Sequence, residues 1–273
     1  VSWTSIHITP SANRDAVIAA LFDVGSQGIH EDGNSIVTHF PPDTDIDAVR
    51  NAVLTADAHA TIAVSETPAI SWDEWRASVG AHAVGKLVVA PPWLANDYDP
   101  ATTIVIDPAM AFGTGEHATT RGVLRLMQQV IRPGDSVADL GAGSAVLAIA
   151  AAKLGATRVA AIEVDPDATS NAQFNIEQNN VAQHVQYIEG DAEVLLPLVA
   201  PVDVVLANII SSVLIELLPS IKSALKPTGK AILSGILLEE RPLMLGEIEK
   251  ANFIVEAEDT EEQWWSVLIS HPA

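Results

Sequence analysis

No cysteine occurs among the 273 residues, which removes thiolate nucleophiles, disulfide staples and Cys-ligated zinc and suits a reducing compartment. The histidines are scattered rather than set at ligand spacing, so no metal centre is expected. No apolar run reaches the roughly 18 residues that a membrane-spanning helix needs, and no basic-then-apolar leader opens the sequence. The expectation is a soluble cytoplasmic protein without a membrane partner. Basic residues are scarce: 14 Lys and Arg face 35 Asp and Glu, for a net charge of -21. A phosphate backbone requires a basic face, so direct nucleic-acid binding is not expected and a basic partner fits better. General solubility or adaptation to salt accounts for this charge as well as steering of a cationic substrate does. The length leaves room for one large or two ordinary domains, with a core that needs no staples.

What is present is a glycine turn. The apolar run Ser136-Val137-Ala138 leads into Asp139-Leu140-Gly141-Ala142-Gly143-Ser144-Ala145, and the helix-forming run Val146 to Leu154 follows. This reads as strand, turn and helix start, where glycine lets a ligand approach the backbone and the helix presents free N–H groups. A second strand, Arg158 to Ile162, ends in Glu163, where a carboxylate is placed to accept hydrogen bonds from both hydroxyls of a ribose. An adenosine-containing cofactor is implied, although a Gly-x-Gly turn also occurs as plain loop chemistry. A dinucleotide fingerprint needs a glycine at position 146, where Val146 stands. Asp139 is a poor neighbour for a pyrophosphate and a good one for an ammonium or sulfonium group. The turn resembles the cofactor loop of class I S-adenosyl-L-methionine methyltransferases.

The rest of the chain organises around this unit. Residues 1–66 read β-α-β-β-α-β, with helices over 11–22 and 43–55 and a hairpin turning at Asp32-Gly33, the order of a ferredoxin-like α+β domain. Residues 67–99 read as a linker. It holds a short helix with Trp72 and Trp75, a strand around 86–89 and Pro91-Pro92-Trp93; the tryptophans pin the helix to a domain or form a docking surface. Residues 100–273 alternate strands (135–140, 158–163, 184–188, 202–207, 229–234) with helices (117–131, 144–154, 166–180, 211–224, 239–251). Two final strand-like runs, 253–258 and 264–270, have no helix between them. The fold class is α/β, a doubly wound, Rossmann-like methyltransferase sheet with an antiparallel last strand.

The stretch Phe112-Gly113-Thr114-Gly115-Glu116-His117-Ala118-Thr119-Thr120 makes the resemblance specific. It is similar to the Phe-Gly-Thr-Gly-x-His-x-Thr-Thr signature of bacterial methyltransferases that trimethylate large-subunit ribosomal protein eleven. Leu206-Ala207-Asn208-Ile209 and Leu233-Ser234-Gly235-Ile236-Leu237 match two further motifs of that family, and the likeness extends to the leading domain, the linker tryptophans and a late Trp264 or Trp265. The resemblance implies methyl transfer to lysine ε-amino and N-terminal α-amino groups of that protein, free or ribosome-bound, recognised by the leading domain. It implies cofactor contacts at Thr120, Gly141, Glu163 and Asn208. Phe112, Thr119, Asp139, Gly143 and Asp191 complete the candidate set, Asp191 toward an adenine amino group, and Asn208 is also the catalytic candidate as acceptor of an amine hydrogen. Three departures stand out: Glu163 for Asp, Ala118 for Pro, and Ala145 for the last glycine of the loop, where a methyl group crowds the cofactor unless φ is negative. Asp139 also reads as a turn cap, Thr119 or Thr120 as helix-start acceptors and His117 as a loop residue. Rival readings are a related lysine methyltransferase acting on another protein, an NAD-dependent oxidoreductase, and a non-catalytic ribosome-binding module.

Overall fold

The computed structural model describes residues 3–26, 28–32, 35–41, 43–67, 76, 79–108 and 115–272. The chain divides into two compact units, Val1–Ser78 and Val79–Ala273. In the first, β1 (Trp3–Thr9), α1 (Arg14–Asp23), β2 (Ile29–Asp32), β3 (Ser35–Phe40), α2 (Ile46–Ala56) and β4 (Thr61–Thr67) follow one another. The antiparallel strands lie in the order β2-β3-β1-β4, which is the ferredoxin-like arrangement. Ile6, Ile8, Ile36 and Phe40 from the sheet pack on Val17 and Leu21 of α1 and on Val49 and Val53 of α2.

Helix α1 begins three residues later than Ser11, because that serine is engaged elsewhere. Its hydroxyl and its N–H donate to the Asp57 carboxylate at 2.5 and 2.7 Å, and the Ala12 N–H donates at 3.0 Å. These donors, the Ser11 hydroxyl foremost, hold the Asp57 carboxyl well below the usual carboxylate range. Asp57 ends α2, so one carboxylate ties the two helices of this unit together. Gly33 of the expected hairpin turn, together with Trp72 and Trp75, lies outside the described residues.

The second unit starts inside the stretch read as linker. Strands β5 (His82–Val84), β6 (Leu87–Ala90) and β7 (Thr103–Val105) form a small sheet of their own. Leu87 and Val89 are buried in the same apolar cluster as the helices that follow, so residues 79–99 fold with this unit rather than as a spacer. Composition misleads here: the prolines and tryptophans suggest a linker, and although the strand expected around 86–89 is present as β6, its three-residue partner β5 is too short for periodicity to register.

The main sheet has seven strands: β8 (Ser136–Leu140), β9 (Arg158–Glu163), β10 (Val185–Glu189), β11 (Val202–Asn208), β12 (Leu225–Leu237), β13 (Ile254–Glu261) and β14 (Trp264–Ser270). Their order is β10-β9-β8-β11-β12-β14-β13; β8 to β12 run parallel, and β14 runs antiparallel between β12 and β13. Helices α3 (Ala118–Val130), α4 (Val146–Lys153) and α5 (Thr169–Gln178) cover one face, and α6 (Ala192–Val199), α7 (Ser211–Ala224) and α8 (Arg241–Lys250) the other. The two-residue strand period builds both layers from one strand. Val204 and Leu206 of β11 join the first apolar cluster, and Val205 and Ala207 join the second. The chain leaves β8 toward β9 on one side and later returns as β11 on the other, which opens a crevice at the carboxyl ends of β8 and β11.

Candidate functional site

Turn 141–145 closes β8 onto α4 by left-handed backbone. Gly141 and Gly143 have φ of 72° and 50°. A Cβ at Gly141 would lie 2.4 Å from the Ile209 side chain, so glycine is required there by space as well as by conformation. The Gly141 and Ala142 N–H groups donate to the Ile162 carbonyl at 2.9 and 3.0 Å, which fixes the turn to the end of β9.

Glu163 at that end accepts from the Gly143 N–H through Oε2 (2.8 Å) and from the Asp165 N–H through Oε1 (2.9 Å). A carboxylate offers about four lone-pair positions, so further acceptor positions remain. The extra methylene relative to Asp gives Glu163 the reach to brace the glycine turn.

Asp139 lies beneath the turn, fully buried. Its Oδ2 accepts from the Ala148 N–H at 3.0 Å, which caps the first turn of α4 in place of Ala145, whose side chain cannot. Its Oδ1 has no partner. Burial, and then the charge of Glu163, push the Asp139 carboxyl up to about 7. Ala145 itself has φ 65° and ψ 18°, contrary to the negative φ under which alanine is harmless; the turn imposes the glycine conformation on it. The feared crowding does not follow, because the Ala145 methyl is buried in the core on the helix side and takes no part in lining the crevice.

A cavity of about 580 Å³ occupies the crevice, with Gly141, Gly143, Glu163 and Asp191 among its walls. Asp191 caps α6 by accepting from the Glu193 N–H at 2.7 Å. Apolar walls come from Ile162, Val164, Ile209, Ile210, Val213 and Leu217; of these the sequence marks Ile209, in its motif, and Ile162, at its strand end, but not the rest. Their signal was available: Val164 and Ile210, 68% and 65% exposed, are apolar residues just beyond strand ends, where solvent contact has no structural purpose. A smaller cavity of about 360 Å³, around Arg158, His184 and Val202 at the opposite strand ends, contains no candidate residue.

Thr119, Thr120 and Asn208 form a second group where α3 begins and β11 ends. Asn208 Nδ2 donates to the buried Thr120 hydroxyl at 3.4 Å, and Asn208 Oδ1 is buried without a partner. The Thr119 hydroxyl lies 2.7 Å from His117 Nδ1, and its carbonyl accepts from the Ser234 hydroxyl, which in turn meets Ser266 at 2.7 Å. His117 sets its ring edge-on to Trp264 at 5.0 Å. Ala118 occupies the first helical position, where proline is well tolerated, so that departure is conservative in conformation. Phe112 lies outside the described residues. Among the described residues no cluster of metal-ligating side chains occurs.

A family model described as "Ribosomal protein L11 methyltransferase (PrmA)" matches residues 2–271. A protein of that name from Thermus thermophilus is 35% identical over 254 residues, covering 92% of both chains. Another, from Pelotomaculum thermopropionicum, is 42% identical over 213 residues, covering 77% of this chain and 67% of its own. Among solved structures, a ribosomal protein L11 methylase from Lactobacillus delbrueckii subsp. bulgaricus has a TM-score of 0.63 at 28% identity, covering 71% of this chain and 100% of that one. A precorrin-6y C5,15-methyltransferase from Geobacter metallireducens, at TM-score 0.51 and 19% identity, covers 62% of this chain and 97% of its own and shares the fold.

Two substitutions test the turn. Left-handed backbone costs an L-residue about 1–2 kcal/mol, against about 0.4–1 kcal/mol for the looser unfolded chain that glycine brings. Removing the buried Ala145 methyl costs about 0.8 kcal/mol more, so Ala145→Gly is expected to stay within about 1 kcal/mol of the parent in urea unfolding; a larger loss would contradict the assigned strain. The raised Asp139 carboxyl binds a proton in the folded chain at pH values where the unfolded chain has lost it, so it lowers stability as pH rises from about 4 to 7. Asp139→Asn is expected to raise the melting midpoint at pH 8 and to leave it nearly unchanged at pH 4. Equal effects at both pH values would rule out the buried charge as cause.

Proposed function

Because the chain belongs to the ribosomal protein L11 methyltransferase family, we propose that it transfers methyl groups from S-adenosyl-L-methionine to lysine ε-amino and N-terminal α-amino groups of ribosomal protein L11. The observation that carries this reading is the crevice at the β8–β11 switch. There a glycine turn too tight for side chains faces a carboxylate, and the buried Asn208 Oδ1 stands without a partner. These residues suit the cofactor. Glu163 keeps acceptor positions for ribose hydroxyls, Asp191 stands at the cavity wall for an adenine amino group, and Val164, Ile210 and Val213 offer apolar surface to a flat ring. Asp139 lies beneath the turn and outside the cavity wall, where its part is to cap α4 and hold the turn from below.

When bound, S-adenosyl-L-methionine supplies a methyl group activated by positive sulfur, so the protein needs no strong catalyst to assist departure. Its task is alignment, which is worth several kcal/mol when the reacting atoms are held at contact. A free lysine amine titrates near 10.4 and must lose a proton before it can attack. Dry surroundings favour its neutral form. The Thr120 hydroxyl takes the Nδ2 side of the Asn208 amide, which leaves Oδ1 to accept one amine hydrogen and turn the nitrogen lone pair outward. Asn208 is a positioner and not a base. Ile209 follows it where nucleobase and glutamine methyltransferases carry Pro-Pro-Tyr, and this favours an aliphatic amine as acceptor.

The ferredoxin-like unit is assigned to recognition of the basic substrate protein, with the acidity of the whole chain aiding encounter. With ribosomal protein L11 as substrate the reaction belongs to the cytoplasm. No helix among the described residues is long and apolar enough to cross a membrane. Incubation with S-adenosyl-L-methionine and recombinant L11 is expected to raise the intact mass of L11 in one-methyl steps, mapped by digestion to lysines and the N-terminus. Cofactor binding with no mass change would redirect the reading to another protein substrate. Removal of residues 1–78 is expected to abolish methylation of folded L11 while cofactor affinity, read by calorimetry, stays within about threefold. Undiminished turnover would exclude the recognition role.

A further inference from the structure

Helix α5 and its C-terminal cap carry Asn171, Asn175 and Asn179 at four-residue spacing, which places all three on one face. Asn175 is fully buried and Asn179 nearly so. Asn179 clasps β7: its Oδ1 accepts from the Val105 N–H at 2.9 Å and its Nδ2 donates to the Val105 carbonyl at 2.6 Å. One turn earlier, Asn175 makes a different bridge. Its Nδ2 donates to the Ser144 carbonyl at 3.0 Å, inside the glycine turn, and its Oδ1 accepts from the Asp107 N–H at 3.0 Å. Asn171 completes the set by offering Oδ1 to Asn175 Nδ2 at 3.3 Å and Nδ2 to the Asp107 carbonyl at 3.4 Å. One buried amide thus joins the turn at 141–145 to Asp107, five residues ahead of the marked stretch at 112–120.

We infer that Asn175 is a positioning residue, which sets the glycine turn and the Asp107 segment at a fixed distance so that cofactor binding at one is felt at the other. Only a side chain with a donor and an acceptor on one plane makes both bonds. Aspartate keeps the acceptor and loses the donor, and an apolar residue leaves a buried carbonyl and a buried N–H unpaired, each costly. The left-handed Ala145, next to Ser144, makes the brace more necessary, because the turn holds a conformation its own sequence disfavours. The inference rests on the cofactor reading given above and extends it to a residue that contributes nothing to the cavity wall.

The matched pair Asn175→Asp and Asn179→Asp tests it, since both asparagines are buried on the same face and only the first touches the turn. At a temperature well below both melting midpoints, Asn175→Asp is expected to weaken S-adenosylhomocysteine binding at least tenfold by calorimetry. Asn179→Asp is expected to lower the midpoint while leaving affinity within twofold. Equal loss of affinity in both variants, or none in Asn175→Asp, would overturn the inference in favour of a purely structural ladder. A parent protein that binds no S-adenosylhomocysteine would overturn the cofactor reading instead. Should Asn175→Asp not fold, hydrogen exchange on the unmodified protein decides. Ligand is expected to slow exchange at the Asp107 amide together with the Gly143 amide, and an Asp107 amide indifferent to ligand would refute the coupling.

Discussion

The space between the ends of β8, β9 and β11 admits backbone and almost nothing else. Gly141 lies so close to Ile209 that a single added carbon would collide with it, and the chain must still reverse from strand to helix within five residues. Left-handed conformations solve that problem, and they expose the N–H groups of the turn. Those groups are then met by the Ile162 carbonyl and by Glu163. The glycine pattern, the position of the Glu163 carboxylate and the buried cap at Asp139 all serve this one steric limit. The crevice itself follows from that limit, since the turn faces it with Gly141 and Gly143, which leave room above the backbone.

Much of this was legible in the sequence because the signals are local. The strand–turn–helix pattern at 136–154, the acid ending β9 and the pair of terminal strands without a helix each depend on a short window, and every main-sheet strand expected from the pattern is present. The four-strand order of the leading unit also followed from element order alone. What escaped depends on distance in space. Nothing in the run 169–179 reveals that its asparagines reach Asp107 and Ser144, because Asn at helical spacing reads as an ordinary polar face. Ser11 reads as a helix cap until Asp57, 46 residues later, takes its donors. Residues 79–99 read as a linker until β6 pairs with β5 on one side and with β7 on the other.

Ala145 shows the limit of reading a substitution from its type. The sequence leaves two outcomes, a crowding methyl or a harmless one with negative φ, and the structure takes neither. The conformation stays that of a glycine and the methyl points into the core, so the departure costs folding energy and spares the site. Glu163, the other departure, contributes in the opposite direction by bracing the same turn. Local strain and a longer side chain thus sit within one hydrogen-bonded loop.

Several of the chain's few bases are engaged at the sheet's last strand. β13 presents Glu256, Glu258, Asp259 and Glu261, and each meets a base from an element behind it: Lys230, Arg241, Arg125 and, for Glu261, both Arg121 and Arg125. An edge strand offers unpaired backbone groups to any other strand that drifts alongside. Here that strand is rimmed with carboxylates locked in place from within. Four carboxylates and four bases balance, so a second molecule approaching edge to edge meets no net repulsion but a row of charged side chains fixed to the elements behind, and adding a strand there would strip water from each of them.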